Sequence, residues 1–384
     1  MEGNPVALMK SALALSLIVL ASTLVSCAGP DLHPGFRADS PVLQREWTIS
    51  TRTRETLAGE RGVEFSNPVL WENTLLFGTS EAGLVALYPS LGGQFRWVLP
   101  IPGGITSELA RQDSSVYFGG ADGFVYAVNG ETGRVRWRYD VRNPKISRPT
   151  LHGGRVYVTT TDDIVYALDA DSGRWLWQYK RKSGASASIH GASSPWIDGT
   201  QVLAGMSDGY LVVLNSEDGR LIREKRLASR SKFTDIDASV IADGQTLYVP
   251  SYDGSLNALK RGSLETLWSH DSGGSRSVVI DGDRLVLASS DGSIQMLQKS
   301  SGKILWKFEM DGGAPTAPLV TDQYVLVGSS HQYLYAIDKA SGRLLDRWNA
   351  GYASGFSGGM TYDPAKKTLY AVSGAANLYS FKIR

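Results

Sequence analysis

The sequence predicts an all-β protein, an eight-bladed β-propeller whose blades are four-stranded antiparallel sheets. The first observation is an internal repeat with a period of 38 to 46 residues that occurs eight times. The second is that each copy alternates apolar and polar residues with the period of two that strands require, whereas stretches with the helical period are absent. The third is a composition of 42 glycines, 10 tryptophans and 17 tyrosines in 384 residues, which is typical of repeated hairpins closed by tight turns.

The copies share one plan: two alternating runs joined by a turn, and a last run that ends near a tryptophan. With the short apolar segment that precedes each copy, this plan gives four strands per blade. The copies occupy 75–99, 116–139, 156–179, 203–225, 247–269, 285–308, 325–348 and 369–384. Four of the turns contain an Asp-Gly pair, which predicts type I′ hairpin turns with positive φ. The pairs are Asp122-Gly123, Asp208-Gly209, Asp253-Gly254 and Asp291-Gly292.

The eighth copy ends before its fourth strand, and a segment near the N-terminus matches the missing piece. Residues 42–50 place Trp47 where the second copy has Trp137. We therefore expect the N-terminal strand to complete the last blade and to close the ring, which protects the edges of the blades.

Tryptophans recur at one position of the repeat, near the end of the fourth strand. We expect them to dock neighbouring blades, because burial of an indole contributes about 2–3 kcal/mol; a ligand groove lined by the rings is the alternative. The docking residues are Trp47, Trp97, Trp137, Trp177, Trp268, Trp306 and Trp348. The expected partner on the neighbouring blade is a small residue of the preceding strand, such as Ala167. Arg223 and Asp346 replace the tryptophan in blades four and seven, so we expect weaker seams there.

The N-terminus has the features of a bacterial lipoprotein signal peptide. Lys10 precedes an apolar run that is shorter than a transmembrane helix normally requires. The run ends in Leu-Val-Ser-Cys, which resembles a lipobox. Cys27, the single cysteine, is therefore the expected lipidation site and the only route to the membrane; an ordinary signal peptide with an incidental cysteine is the alternative. The predicted divisions are 1–26, signal peptide; 27–40, lipid-anchored tether; and 41–384, propeller.

Charge and motif content argue against nucleic-acid, metal and catalytic functions. The net charge is +1, so no polyanion partner such as nucleic acid is indicated. The five histidines lack metal-ligand spacing, and neither a nucleophile elbow nor a phosphate-binding loop is present. We therefore expect a protein that is not an enzyme, with no catalytic residue, no metal and no cofactor.

One string of the repeat raises an enzymatic alternative. Ala-x-Asp-x-x-Ser/Thr-Gly-x-x-x-Trp, seen from Ala167 to Trp177, is similar to the repeat of quinoprotein dehydrogenases, whose propellers bind pyrroloquinoline quinone. Membership of that class would imply vicinal cysteines, calcium-ligating side chains and a catalytic aspartate. The chain has one cysteine and no convergent acidic cluster, so we interpret the string as structural and keep a quinone-dependent dehydrogenase as a remote alternative.

The lipobox and the eight copies together resemble the BamB family, lipoprotein subunits of the outer-membrane β-barrel assembly machinery (BAM complex). The resemblance spans the mature chain and is most specific in 188–195, 233–237 and 277–287. It implies a non-catalytic scaffold that is anchored to the outer membrane and faces the periplasm. It also implies binding to a POTRA domain of BamA, to other BAM subunits and to nascent barrel proteins.

Carried over to this chain, the resemblance makes Ile189 an apolar anchor and Asp235 and Asp237 acidic partners of BamA. His190 stands where the family usually has arginine, and a histidine is smaller and mostly uncharged at neutral pH. Two alternatives remain open. The two aspartates are solvated carboxylates that cap nearby N–H groups, or the chain is a generic periplasmic propeller that binds another protein or the cell wall.

Overall fold

The structure, a computed structural model, describes residues 32–51, 66–181, 191–228 and 234–384. These residues form eight four-stranded antiparallel sheets. The first strands of neighbouring sheets contact one another, which places them around a central channel. The chain is an eight-bladed β-propeller, so the predicted fold class is confirmed.

Each blade uses four strands in chain order, except the last, which takes its outermost strand from the N-terminus. Blades one and two contain β2 (Val69–Trp71), β3 (Thr74–Thr79), β4 (Gly83–Tyr88), β5 (Gln94–Leu99), β6 (Ala110–Gln112), β7 (Ser115–Gly119), β8 (Phe124–Asn129) and β9 (Val135–Asp140). Blades three and four contain β10 (Thr150–His152), β11 (Arg155–Thr160), β12 (Ile164–Asp169), β13 (Trp175–Lys180), β14 (Trp196–Asp198), β15 (Gln201–Gly205), β16 (Tyr210–Asn215) and β17 (Leu221–Arg226). Blades five and six contain β18 (Ile241–Asp243), β19 (Thr246–Ser251), β20 (Ser255–Lys260), β21 (Thr266–His270), β22 (Val279–Asp281), β23 (Arg284–Ala288), β24 (Ser293–Gln298) and β25 (Ile304–Glu309). Blades seven and eight contain β26 (Leu319–Val320), β27 (Tyr324–Gly328), β28 (Tyr333–Asp338), β29 (Leu344–Asn349), β30 (Phe356–Asp363), β31 (Thr368–Ser373), β32 (Asn377–Ile383) and β1 (Leu43–Ser50).

Ring closure follows the prediction from the sequence. Strand β1 pairs antiparallel with β32, from Leu43 opposite Ile383 to Ser50 opposite Asn377. The first strand, β1, and the last strand, β32, therefore belong to one blade, so unfolding of either strand opens the ring.

Burial changes from the inside of each blade to the outside. The second and third strands are sandwiched between neighbouring blades, and all six residues of β3 are buried. The fourth strand is the outer edge, so its burial alternates, as in β9. The apolar clusters of the core join residues of adjacent blades, for example Ala127 of blade two with Val156 of blade three. The hydrophobic core thus lies in the seams between blades.

The repeated tryptophans lie in those seams. The indole of Trp137 covers Gly173 of the next blade, where an added Cβ would lie 2.5 Å from the ring. Its Nε1–H donates to the carbonyl of Ala170 at 2.8 Å. Five more tryptophans cover the equivalent glycine of the following blade: Trp47 on Gly93, Trp97 on Gly133, Trp177 on Gly219, Trp268 on Gly302 and Trp306 on Gly342. Trp348 instead packs edge-on against Tyr379 and Phe381 of blade eight.

The small residue expected on the neighbouring blade lies elsewhere. Ala167 is directly opposite Trp177 within the same sheet, and Ala127 is opposite Trp137 in the same way. The partner on the next blade is the turn glycine instead, because a positive φ and the close approach of the ring both exclude a larger residue.

At the two seams where the tryptophan is absent, the glycine of the next blade that would face it is absent as well. Leu264 takes the glycine's place opposite Arg223 of blade four; it keeps the left-handed conformation at φ 61° and buries its side chain in the seam. Opposite Asp346, blade eight has the start of β1 and the end of β32 instead of a turn. The Asp346 carboxylate accepts the N–H groups of Val42 and Leu43, each at 2.8 Å. Both seams have replacement contacts, so the structure gives no basis for the weakness expected from the sequence.

The Asp-Gly turns are not of type I′. At Asp122-Gly123 the Gly123 N–H donates to the Gly120 carbonyl at 3.1 Å. Only Gly123 has a positive φ, 87°, whereas type I′ requires it at both central residues. The prediction of a hairpin was right and the turn type was wrong, because a longer loop that ends in a left-handed glycine also satisfies the strand twist.

Part of the predicted tether, 27–40, is held against the propeller. The His33 ring stacks on Phe308 with centroids 5.1 Å apart. The His33 carbonyl accepts an N–H of Arg347 at 3.0 Å, and Arg347 also forms a buried ion pair of 2.7 Å with Asp311. No helix within the described ranges is long and apolar enough to cross a membrane. Cys27 lies outside the described residues.

Candidate functional site

The two segments singled out by the family resemblance lie at the same end of the ring. Strands alternate in direction, so every connection from the fourth strand of one blade to the first strand of the next lies at one end, which we term the connector end. The segment that contains residues 188–195 connects blades three and four, and the segment 233–237 connects blades four and five. Ile189 and His190 lie outside the described residues.

Asp235 is a buried residue and not a surface carboxylate. Its side chain is 0% exposed, and its carbonyl accepts the Tyr252 N–H at 2.9 Å. The neighbouring Thr234 hydroxyl donates to the Ser207 carbonyl at 2.9 Å, and Ile236 is buried beside them. The interpretation of two solvated carboxylates is therefore wrong for Asp235.

Asp237 meets the other connector directly. Gly191 lies so close to it that an added Cβ on this glycine would be 2.1 Å from the Asp237 Cγ. Asp237 is partly buried, and it lines the mouth of the central channel. The structure thus brings the two segments into contact through one carboxylate and one glycine.

The surroundings of Asp237 disfavour its charge. Burial, together with the nearby carboxylates of Asp235 and Asp163, raises the pKa of Asp237 to about 7, although Arg276 opposes the shift. Burial also raises the pKa of Asp163, whose carboxylate accepts the N–H and hydroxyl of Ser207 at 2.9 and 2.5 Å. Ionisation of Asp237 at neutral pH therefore lowers the stability of the folded protein.

A cation lies near this acidic group, since Arg181 is one of the charges that act on Asp163. Arg181, the last described residue before the first segment, donates to Asp208 and to Glu224, each at 2.6 Å. Its guanidinium also lies 4.2 Å from the centre of the Tyr210 ring. Arg181 is thereby fixed at the point where the connector of blades three and four begins.

The repeat string that resembles quinoprotein dehydrogenases has a structural role. Asp169 accepts the N–H and hydroxyl of Ser172 at 2.8 and 2.6 Å, and these bonds lower the pKa of Asp169. The turn that they fix presents Gly173 to the indole of Trp137. Among the described residues, no group of three His, Cys, Asp or Glu side chains is placed to hold a metal ion.

A family model described as "Outer membrane protein assembly factor BamB" matches residues 93–308 and 253–384. The chain belongs to the BamB family. A curated relative of the same description from Yersinia pestis is 26% identical over 345 residues, which cover 81% of this chain and 83% of that protein.

Solved structures agree with this fold. BamB from Moraxella catarrhalis superposes with a TM-score of 0.74 at 22% identity, covering 89% of this chain and 100% of that one. A europium-containing methanol dehydrogenase superposes with a TM-score of 0.71 at 12% identity, over 89% of this chain and 93% of that one. Because the same propeller occurs in an enzyme, the fold alone does not decide the function of this BamB-family chain.

Three residues of this site were missed in the sequence: Gly191, Asp163 and Arg276. Gly191 and Asp163 lie in connections whose contacts form only when blades pack together. Arg276 had a detectable signal, since it replaces a serine or threonine that recurs at the same distance before the first strand of other blades.

Proposed function

We propose that the protein is a non-catalytic scaffold of outer-membrane protein assembly within the BAM complex, and that it binds a POTRA domain of BamA through its connector end. Membership of the BamB family, whose relatives are described as outer-membrane protein assembly factors, supports the assembly role. We further propose that Cys27 carries the lipid anchor, that the anchor lies in the outer membrane, and that the propeller faces the periplasm.

The observation that carries the docking proposal is the position of Asp237. A carboxylate whose pKa is raised to about 7 reduces the stability of the folded protein at neutral pH. Such residues persist where a function needs them. Asp237 also lies where the two family-specific segments meet, so its charge can be offered to a basic or N–H-rich partner surface.

The other residues have distinct proposed roles. Ile189 and His190 belong to the segment that continues into Gly191, and we assign them the apolar and polar contacts with the partner. Asp235 is fully buried, so we assign it a positioning role beneath Asp237 and not a direct contact. In a typical interface a few anchors of this kind supply most of the binding energy, and polar contacts surround them.

Asp237→Asn tests the docking face in a pull-down from detergent-solubilised membranes of the source organism. We expect the wild type to retain BamA and this variant to lose most of it, because the amide keeps the shape but removes the charge. Gly191→Ala should have the same effect, since its Cβ displaces the carboxylate. The matched control is Asp171→Asn, an exposed acid in a turn at the opposite end of the ring, which should retain BamA.

Two outcomes contradict the proposal in different ways. If the wild type retains no BamA, the partner is wrong and a generic periplasmic platform becomes the better description. If the wild type, Asp237→Asn and Asp171→Asn retain BamA equally, the partner is right but the connector end between blades three and five is not the docking face.

The same variant gives a stability prediction with a defined pH dependence. The folded-state pKa of Asp237 is raised above its ordinary value, so the stability linked to this group is complete at low pH and is lost as the pH rises through about 7. Asp237→Asn, which never ionises, should raise the free energy of unfolding at about pH 8 by about 1 kcal/mol or more. Urea denaturation at several pH values checks this, and the gain should disappear towards pH 4. A gain that is independent of pH would show that ionisation of Asp237 is not the cause.

A further inference from the structure

The central channel opens at the connector end into a cavity of about 550 Å³. Its wall consists of residues that precede the first strands of blades two to seven, together with Thr161 and with Ile241 at the start of β18. A cavity of this volume lies in the range of small-ligand sites, about 300–1,000 Å³. Several hydroxyl-bearing residues belong to this wall, among them Thr106, Ser194, Ser239 and Ser277.

The wall contains more positively charged than negatively charged side chains. Lys145 and Arg148 come from blade three, and Arg276 comes from blade six. Glu108 and Asp237 oppose them. Three cations face two carboxylates, so the balance of charge in the cavity is positive even when Asp237 is ionised.

Arg276 occupies a position that four other blades use for a hydroxyl residue that accepts an N–H, and where blade five has Ala238. Three residues before the first strand, Ser66, Ser107, Ser147 and Thr316 each accept an N–H from the second strand of the same blade, at 2.8 to 3.0 Å. The equivalent residue of blade six is Arg276, which has no hydroxyl group and cannot accept this N–H. The substitution of a long cation for a hydroxyl indicates a role in the channel.

The guanidinium of Arg276 is positioned but incompletely paired. Its Nη2 donates to the carbonyl of Ser357 in blade eight at 2.6 Å, so the side chain extends along the channel wall past blade seven. Its Nε is buried and has no acceptor among the residues that the structure describes. A guanidinium has five N–H donors and is the side chain best suited to bidentate contact with a carboxylate.

We propose that the channel mouth is a carboxylate-binding site in which Arg276 is the principal contact and Lys145 and Arg148 supply further positive charge. The carboxylate comes either from an acidic side chain of a docked protein or from a small free anion. The site is defined by this chain's own residues, so it does not depend on the identity of the partner.

The test uses glutarate, a dicarboxylate, and glutaramide, its neutral diamide of the same shape. Isothermal titration of the whole protein at about pH 6, where Asp237 is mostly neutral, should give binding of glutarate and none of glutaramide. Binding should weaken at about pH 8 at the same ionic strength, because an ionised Asp237 repels the ligand.

Arg276→Gln should weaken glutarate binding about tenfold or more, since it removes a charge-assisted hydrogen bond. The matched control is Arg142→Gln, whose side chain is 89% exposed and lies outside the cavity wall; its affinity should be unchanged. Arg148→Gln is the second variant if Arg276→Gln fails to fold, and it too should weaken binding.

Two results would overturn the proposal. One is equal binding of glutarate and glutaramide; the other is an undiminished affinity of folded Arg276→Gln and Arg148→Gln. Where glutarate binds as expected, adding it to the BamA pull-down identifies the source of the carboxylate. Competition assigns the site to an acidic side chain of the partner, whereas simultaneous binding assigns it to a free anion.

Discussion

Trp177→Ala is expected to lower the free energy of unfolding by about 3–5 kcal/mol, as for other large aromatic residues removed from a core. The indole is 4% exposed and covers Gly219 of the next blade. Its Nε1–H donates to the Ser216 carbonyl at 2.9 Å, so the variant loses a hydrogen bond between blades as well as packing. Denaturation followed by circular dichroism measures the loss.

Trp175→Ala is the matched control, because it removes the same side chain from the same strand. The Trp175 side chain is 47% exposed on the outer edge of the blade. Its loss should change the free energy of unfolding by about 1 kcal/mol at most. Similar losses for the two variants would mean that the indoles stabilise the strand locally and do not dock one blade on the next.

Asp346→Ala is expected to destabilise the protein by about 2–4 kcal/mol, because it leaves two buried N–H groups without an acceptor. The Asp346 carboxylate accepts the N–H groups of Val42 and Leu43, where β1 begins. All three residues are buried. The loss should therefore be largest at the seam where β1 completes the ring, and hydrogen exchange of β1 amides should increase more than that of the other outer strands.

Asp346→Asn separates the charge from the contact. The amide retains one carbonyl oxygen as acceptor, so its loss of stability should be smaller than that of Asp346→Ala. Asp322→Ala, at an exposed acid of the same blade, serves as the control and should be neutral. Unchanged exchange of β1 in a destabilised Asp346→Ala variant would contradict the role of this carboxylate in ring closure.

The contrast between the glycine and alanine partners of the tryptophans illustrates the limits of sequence reasoning. The recurrence of tryptophan, and its burial between blades, followed from the repeat. The choice of Ala167 as the partner on the next blade was wrong, because periodicity does not distinguish a residue opposite in the same sheet from one facing across a seam. Gly173 and its equivalents can be identified in the sequence as turn residues. They also leave room for an indole of the neighbouring blade, and this second role depends on the packing of two blades.

Asp235 and Asp237 show the same limit at the site. Their spacing of two residues suggested an equivalent pair, yet one is fully buried and the other lines a cavity. The distinction arises from the blades on either side, which enclose Asp235 and leave Asp237 against Gly191. No pattern in the segment itself carries that information.

The sequence by itself determined the number of blades, the four strands in each, and the closure of the ring by β1. These features depend on local alternation, on turn residues and on a repeat that is complete only when the two ends are joined. Only the tertiary structure decided which groups meet at the connector end, how the pKa of Asp237 is raised, and where Arg276 extends. Those properties depend on burial and on distances between residues some forty positions apart or more, which are fixed when the blades pack around the channel.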